Sequence, residues 1–289
     1  MRIAVLGAAG QLGSELCLRL GAEAIPLTRA ELDICQEDQV PAVLGKLQPD
    51  AIVNCAAYNA VDLAESEPEA AFRGNALGPR NLARFAQTAG TALVHVSTDY
   101  VFGLDAQRER PYRESDLPGP VGAYGISKLA GEEFVRAECR RHFVLRTCGL
   151  YGRHARSGKR NFVETMLRLG VEREELRIVS DQRCTPTATF DLAQAIIDLL
   201  KTDRYGTYHV TNAGDCSWAE FATEIFRMAN LKTRVVPISS AEYGAKARRP
   251  GYSVLDSSLV AQALNRPLRS WQSALADYIA AATHATSQT

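Results

Sequence analysis

Tyr124 and Lys128 stand four residues apart, a spacing that on a helix places them on one face, one turn from each other. A tyrosine hydroxyl is a weak acid, with an ordinary pKa of about 10. An ammonium one turn along favours the phenolate and is expected to bring that value down by two or three units of pH, toward the working range. A phenol tuned in this way can exchange a proton with an alcohol or carbonyl oxygen. The same pair arises by chance on solvated helices, so its weight depends on what accompanies it. Ser97-Thr98-Asp99-Tyr100 brings a hydroxyl and a carboxylate to the end of an apolar run at 92–96. Thr98 can hydrogen-bond both the Tyr124 phenol and a substrate carbonyl, while Asp99 can orient a neighbouring hydroxyl.

A second signal lies at the start of the chain. The apolar run 3–6 breaks into Gly7-Ala8-Ala9-Gly10-Gln11-Leu12-Gly13, and Leu12, Leu16 and Leu20 then recur at helical spacing. Gly7, Gly10 and Gly13 let the chain turn tightly and let a pyrophosphate approach the backbone amides of a helix N-terminus. A strand, a glycine turn and a helix at the head of an α/β pattern predict dinucleotide binding. A nicotinamide hydride then completes the chemistry that a Tyr124 proton begins. Lys128 is expected to hold the nicotinamide ribose as well as tune the phenol. For the adenosine end, Arg29 is suited to a 2′-phosphate and favours NADPH, whereas Glu31 keeps NADH open. Asp33 and Ile34 border the expected adenine pocket. The segment Asn54-Cys55-Ala56-Ala57-Tyr58-Asn59 ends the third strand in small residues that leave room for a cofactor.

Composition bounds the alternatives. The chain has 289 residues, 46% apolar and 23% charged, with Lys plus Arg and Asp plus Glu at 33 each, so no global field recruits nucleic acid or a membrane. Seven scattered cysteines without a C-x-x-C argue against a disulfide framework or zinc site and for a reducing, cytoplasmic setting. The opening apolar run is too short to span a membrane and lacks the layout of a signal peptide.

These groups need a scaffold, and the periodicity supplies one. Strands at 3–6, 24–27, 51–53, 92–96 and 143–146 alternate with helices at 11–20, 40–47, 69–89 and 124–140. The pattern predicts an α/β fold, a doubly wound parallel sheet of Rossmann-like type, with a dinucleotide-binding domain over 1–150. Residues 151–289 lose that rhythm. Helices at 161–170, 190–201, 218–229 and 274–282, strands at 176–179 and 207–210, and a polar tail at 284–289 predict a smaller C-terminal α/β substrate lobe, some of whose segments return to the main sheet. Ser217 and Glu220 form a capping box ahead of the 218–229 helix. Trp218 and Trp271 are expected in the core rather than against a ligand.

Taken together, the glycine turn, Val61-Asp62-Leu63-Ala64-Glu65, Ser97 to Phe102, Tyr124 to Gly131, Asn161-Phe162, Asp181-Gln182 with Thr185-Pro186-Thr187, and Arg249-Pro250 resemble the extended short-chain dehydrogenase/reductases. Within that group the chain resembles the dTDP-4-dehydrorhamnose reductase family along nearly its whole length. The resemblance implies reduction of the C4 ketone of a nucleotide-linked 4-keto-6-deoxysugar, dTDP-4-dehydro-6-deoxy-L-mannose, by NADPH or NADH. It implies Tyr124 as proton donor, Thr98 as its tuning partner and Lys128 as the ribose and pKa residue. Gly10, Gln11, Leu12, Asp33, Ile34, Ala57, Tyr58 and Asn59 would line the cofactor, and Thr98 and Asp99 would touch the sugar. Arg249, beside Arg248, matches the family's Arg-Pro segment and can clamp a diphosphate. Asn59 stands where the family commonly has threonine. Gly149 stands where a tryptophan often faces the sugar, and no role is carried over to it. Some members hold Mg2+ between subunits. Glu15 sits at a compatible place, no metal ligands are assigned, and a homodimer stays open. An epimerase or dehydratase on the same fold, or a non-catalytic cofactor-binding regulatory subunit, are the alternatives.

Overall fold

A computed structural model of the chain describes residues 1–153 and 160–286. Of the tail expected at 284–289, residues 287–289 lie outside the described residues. The first half alternates β1 (Ile3–Leu6), α1 (Gln11–Leu20), β2 (Ala24–Leu27), α2 (Gln39–Leu47), β3 (Ala51–Asn54), α3 (Val61–Ala64), α4 (Pro68–Phe72), α5 (Gly78–Ala89), β4 (Ala92–Thr98), α6 (Ala123–Glu138) and β5 (His142–Thr147). The second half contains β6 (Leu150–Tyr151), α7 (Phe162–Glu172), β7 (Glu175–Val179), β8 (Arg183–Cys184), β9 (Thr187–Ala188) and α8 (Thr189–Leu199). It continues with β10 (Gly206–His209), β11 (Cys216–Ser217), α9 (Trp218–Met228), β12 (Arg234–Ile238), α10 (Ser240–Tyr243), α11 (Ser258–Ala263) and α12 (Trp271–Thr286).

Six strands form one parallel sheet in the order β10-β5-β4-β3-β1-β2. Its strands are apolar on both faces because helices cover both. Ile3, Val5 and Val53 point to a core shared with Leu16 of α1, Ile196 and Leu199 of α8 and Val260 of α11. Ala4, Leu6 and Ile52 point the other way, to Val40 and Leu44 of α2, Leu82 of α5 and Val135 of α6. Both β10 and α8 come from beyond residue 150, so the C-terminal half supplies an edge strand and a covering helix to the nucleotide-binding layer.

The remaining elements surround an aromatic core. Phe162 stacks on Phe221 with centroids 5.6 Å apart, and Trp271 meets Phe221 edge-on at the same separation. Trp218 packs partly buried against this cluster. The Ser217–Glu220 capping box opens α9, and Asn161 with Glu164 forms another at α7. Strand β12, which the sequence pattern does not reveal, pairs in parallel with β7. Pro237 inside it masks the strand signal and is tolerated because the ladder has only two strands.

The helix expected over 69–89 is interrupted by a π turn at Arg73–Leu77. Pro79 explains the break: it has no N–H for the Asn75 carbonyl, and its ring would collide with that carbonyl in a regular helix. The extra residue in the turn swings Asn75 toward Tyr58 and α6. The last helix is longer than expected, beginning at Trp271 and ending at Thr286. Among the described residues, no helix is long and apolar enough to cross a membrane.

Candidate active site

The C-terminal ends of β1, β3, β4 and β5 open onto a cavity of ≈ 280 Å³. It lies where the strand order reverses beside β1, the crevice in which open α/β sheets bind ligands. Gly10, Gln11, Leu12 and Gly13 form one wall, Ala57 and Asn59 a second, and Thr98, Asp99, Tyr124 and Lys128 a third. The glycine turn is built for close approach. A Cβ on Gly13 would sit 2.3 Å from the Gly7 carbonyl oxygen, and Gly7 itself has φ +73°. Helix α1 opens at Gly10 with no side chain capping its amides. A helix N-terminus without a side-chain cap, reached through a turn of glycines that line the cavity, suits a pyrophosphate.

Tyr124 enters this space from the first turn of α6 and is half-buried. Its ring meets Tyr100 edge-on, with centroids 5.8 Å apart. Burial pushes the phenol above its ordinary pKa, while the hydrogen bond with Thr98 pulls the other way. The Thr98 hydroxyl also donates to Asp99 Oδ1 at 3.1 Å and accepts from the Tyr100 N–H at 3.2 Å. Lys128 is buried, its Nζ donates to the Val96 carbonyl at 2.7 Å, and burial lowers its pKa to about 8 against the pull of Glu132. The expected depression of Tyr124 by Lys128 is therefore corrected. Desolvation of the phenolate outweighs its favourable contacts, and the ammonium is engaged with a backbone carbonyl. Burial thus favours the protonated phenol at Tyr124.

A buried polar network supports these groups, and sequence reasoning missed most of it. Glu132 accepts from Ser97 Oγ at 2.6 Å and from both Nη2 and Nε of Arg146, at 2.7 and 3.0 Å. Arg146 lies over the Phe102 ring and reaches His209 Nε2 at 3.4 Å. Asn75 Oδ1 accepts from Tyr58 N at 2.8 Å, and its Nδ2 donates to Ser127 Oγ at 3.0 Å. Asn54 meets His95 Nδ1 at 3.2 Å, and burial holds that imidazole well below its usual pKa. Signals were available: Glu132 continues the four-residue spacing of Tyr124 and Lys128, and His95 interrupts an apolar strand.

Other expected residues lie elsewhere or are already engaged. Asp99 Oδ2 accepts from Ser253 Oγ at 2.6 Å, and burial raises its carboxyl pKa. At the end of β2, Arg29 is exposed and pairs with Asp33 at 3.1 Å, while Thr28 holds the Glu31 carboxylate through its N–H at 2.7 Å. Ile34 is buried against Gly78, and its carbonyl accepts from Asn81. Arg249 reaches Asp62 through Nη2 at 2.9 Å and Nη1 at 3.1 Å rather than standing free. Glu15 is buried and accepts from Arg19 Nε at 2.9 Å. Among the described residues, no group of three or more His, Cys, Asp or Glu side chains is gathered to hold a metal. Glu15 thus forms an ion pair with Arg19.

The fold and this cleft define a nicotinamide-dependent oxidoreductase of the extended short-chain dehydrogenase/reductase type. The family model described as the RmlD substrate binding domain matches residues 1–284, and the chain belongs to that family. It is 43% identical to the spore coat polysaccharide biosynthesis protein SpsK of Bacillus subtilis, over 96% of each protein. It is 40% identical to dTDP-4-dehydrorhamnose reductase of Mycolicibacterium smegmatis, covering 99% of this chain and 87% of that one. The crystal structure of dTDP-4-dehydrorhamnose reductase from Bacillus anthracis in complex with NADP superposes with a TM-score of 0.90. It is 43% identical, covering 95% of this chain and 96% of that one.

Proposed function

We propose that the chain reduces the C4 ketone of a nucleotide-linked 4-keto-6-deoxysugar, with dTDP-4-dehydro-6-deoxy-L-mannose giving dTDP-L-rhamnose as the favoured case. The relatives named dTDP-4-dehydrorhamnose reductase support the substrate class. The observation that carries the mechanism is the convergence of Thr98, Tyr124 and Lys128 on the cavity that the glycine turn also lines. Bound NADPH or NADH supplies the hydride to C4. Tyr124 delivers its proton to the ketone oxygen, and Thr98 steadies the phenolate that remains. The Lys128 ammonium, one helical turn away, offsets the same negative charge and offers its remaining protons to ribose hydroxyls.

Gly10 to Gly13 would take the pyrophosphate, Ala57 and Asn59 the centre of the dinucleotide, and Arg29 the 2′-phosphate of NADPH. Asp99, with its carboxylate tied to Thr98 and Ser253, would present the sugar side of the cleft. The seven cysteines, free where described, suit a cytoplasmic protein. The homodimer left open by the sequence is tested by light scattering. Incubating purified protein with NADPH and dTDP-4-dehydro-6-deoxy-L-mannose, and identifying the product by NMR, tests the assignment. Stoichiometric NADPH oxidation with a new C4 carbinol is expected. Product formation without net NADPH consumption would instead establish an epimerase or dehydratase.

A further inference from the structure

The N-cap of α6, the helix that carries Tyr124, is Gly122, a residue with no side chain to cap it. Its first amide is satisfied from far along the chain: Ala123 N–H donates to Glu65 Oε1 at 2.8 Å. Gly122 makes room for this contact, since a Cβ there would lie 2.8 Å from the same Glu65 oxygen and 3.3 Å from the Arg248 carbonyl. Glu65 follows directly on α3, whose Asp62 accepts from Ala247 N–H at 3.0 Å and from Arg249 through both terminal nitrogens. One short turn of chain therefore touches the helix of the proton donor and the 247–249 loop of the C-terminal half. It does so a few residues after Ala57 and Asn59 in the cleft wall.

We propose that Glu65 is a positioning residue for the reaction: it caps α6 in trans, fixes the first turn from which Tyr124 projects, and with Asp62 ties that turn to the 247–249 loop. The inference deepens the assignment of Tyr124 as proton donor and rests on it. A carboxylate at a helix N-terminus satisfies an orphan donor and complements the helix dipole. Here the capped turn also contains the reacting hydroxyl, so a small loosening moves the phenol relative to its target.

The test is a double-mutant cycle read in kcat, KM and NADPH affinity. Glu65→Ala is expected to lower kcat roughly fivefold through misplacement of the phenol, with NADPH affinity nearly unchanged and a thermal midpoint lower by only a few degrees, the cost of one lost helix cap. Glu65→Gln, whose amide oxygen can accept the same bond, is expected to restore most of the loss. Gly122→Ala should reproduce the defect by displacing Glu65, and the double variant should be no worse than either single one. Additive losses, no rescue by Gln, an unchanged kcat in Glu65→Ala, or an equal fall in NADPH affinity would each overturn the inference. None of these bears on the underlying assignment, which fails separately if Tyr124→Phe keeps full turnover.

Discussion

Lys128 donates an ammonium N–H to the carbonyl of Val96, 2.7 Å away, and so joins α6 to the strand that ends in Thr98. The lysine is part of the architecture as well as the electrostatics. With the Ser97–Glu132 hydrogen bond it ties α6 to β4, the two elements that bring Tyr124 and Thr98 to the same cavity.

Replacing Tyr124 with Phe removes the proposed proton donor while leaving the ring and its contact with Tyr100. Turnover is expected to fall by ~10²–10⁴, the usual contribution of a positioned acid. NADPH affinity, measured by fluorescence titration, should be unchanged. Thr98→Val should lower kcat as well, with KM for the cofactor unaffected.

The pH profile follows from Lys128. Its pKa in the folded protein is about 8, below the ordinary 10.5. The alkaline limb of kcat/KM for the free enzyme is therefore expected to break near pH 8, where the ammonium is lost. Stability runs in the opposite direction. The cost of burying this charge is fully present below the folded pKa and is relieved as pH rises toward the unfolded value, where the unfolded chain binds more protons. Thermal midpoints of the parent and Lys128→Met, compared on both sides of that window, should show the gain in the parent alone.

Cofactor choice tests Arg29. Its guanidinium is largely exposed, and Thr28 already holds the Glu31 carboxylate. Arg29→Ala is expected to raise KM for NADPH by roughly tenfold, the cost of one charged hydrogen bond, and to leave KM for NADH unchanged. An equal effect on both cofactors would remove Arg29 from the phosphate site.

Glu132→Gln tests the network under the cleft. Arg146 is 2% exposed and Glu132 fully buried, so neutralising the carboxylate leaves a desolvated guanidinium without its partner. Loss of ~3–5 kcal/mol is expected in urea unfolding. Asp62→Asn, at a half-buried ion pair, should cost far less.

Much of the site was legible before any coordinates. Gly7, Gly10 and Gly13 after an apolar run, Thr98 at a strand end and the Tyr124–Lys128 spacing are local patterns, because turn geometry and helix periodicity act over a few residues. The capping box at Ser217 belongs to the same class. The parallel sheet followed from the alternation of strand and helix, since parallel neighbours require crossovers.

Other features could be decided only by residues far apart in the chain. The pKa of Tyr124 depends on how much water the assembled cleft excludes, and the expected sign was reversed for that reason. Arg249 is an ion-pair partner of Asp62, 187 positions away, which no spacing rule anticipates. The π turn at Asn75 arose locally from Pro79, but its consequence, a bridge to Tyr58 and Ser127, exists only once α6 packs beside it. Sequence determined the reactive groups and the elements bearing them, because both are written in short-range periodicity. Folding decided how those groups are charged and held, because burial and partnership are properties of the packed chain.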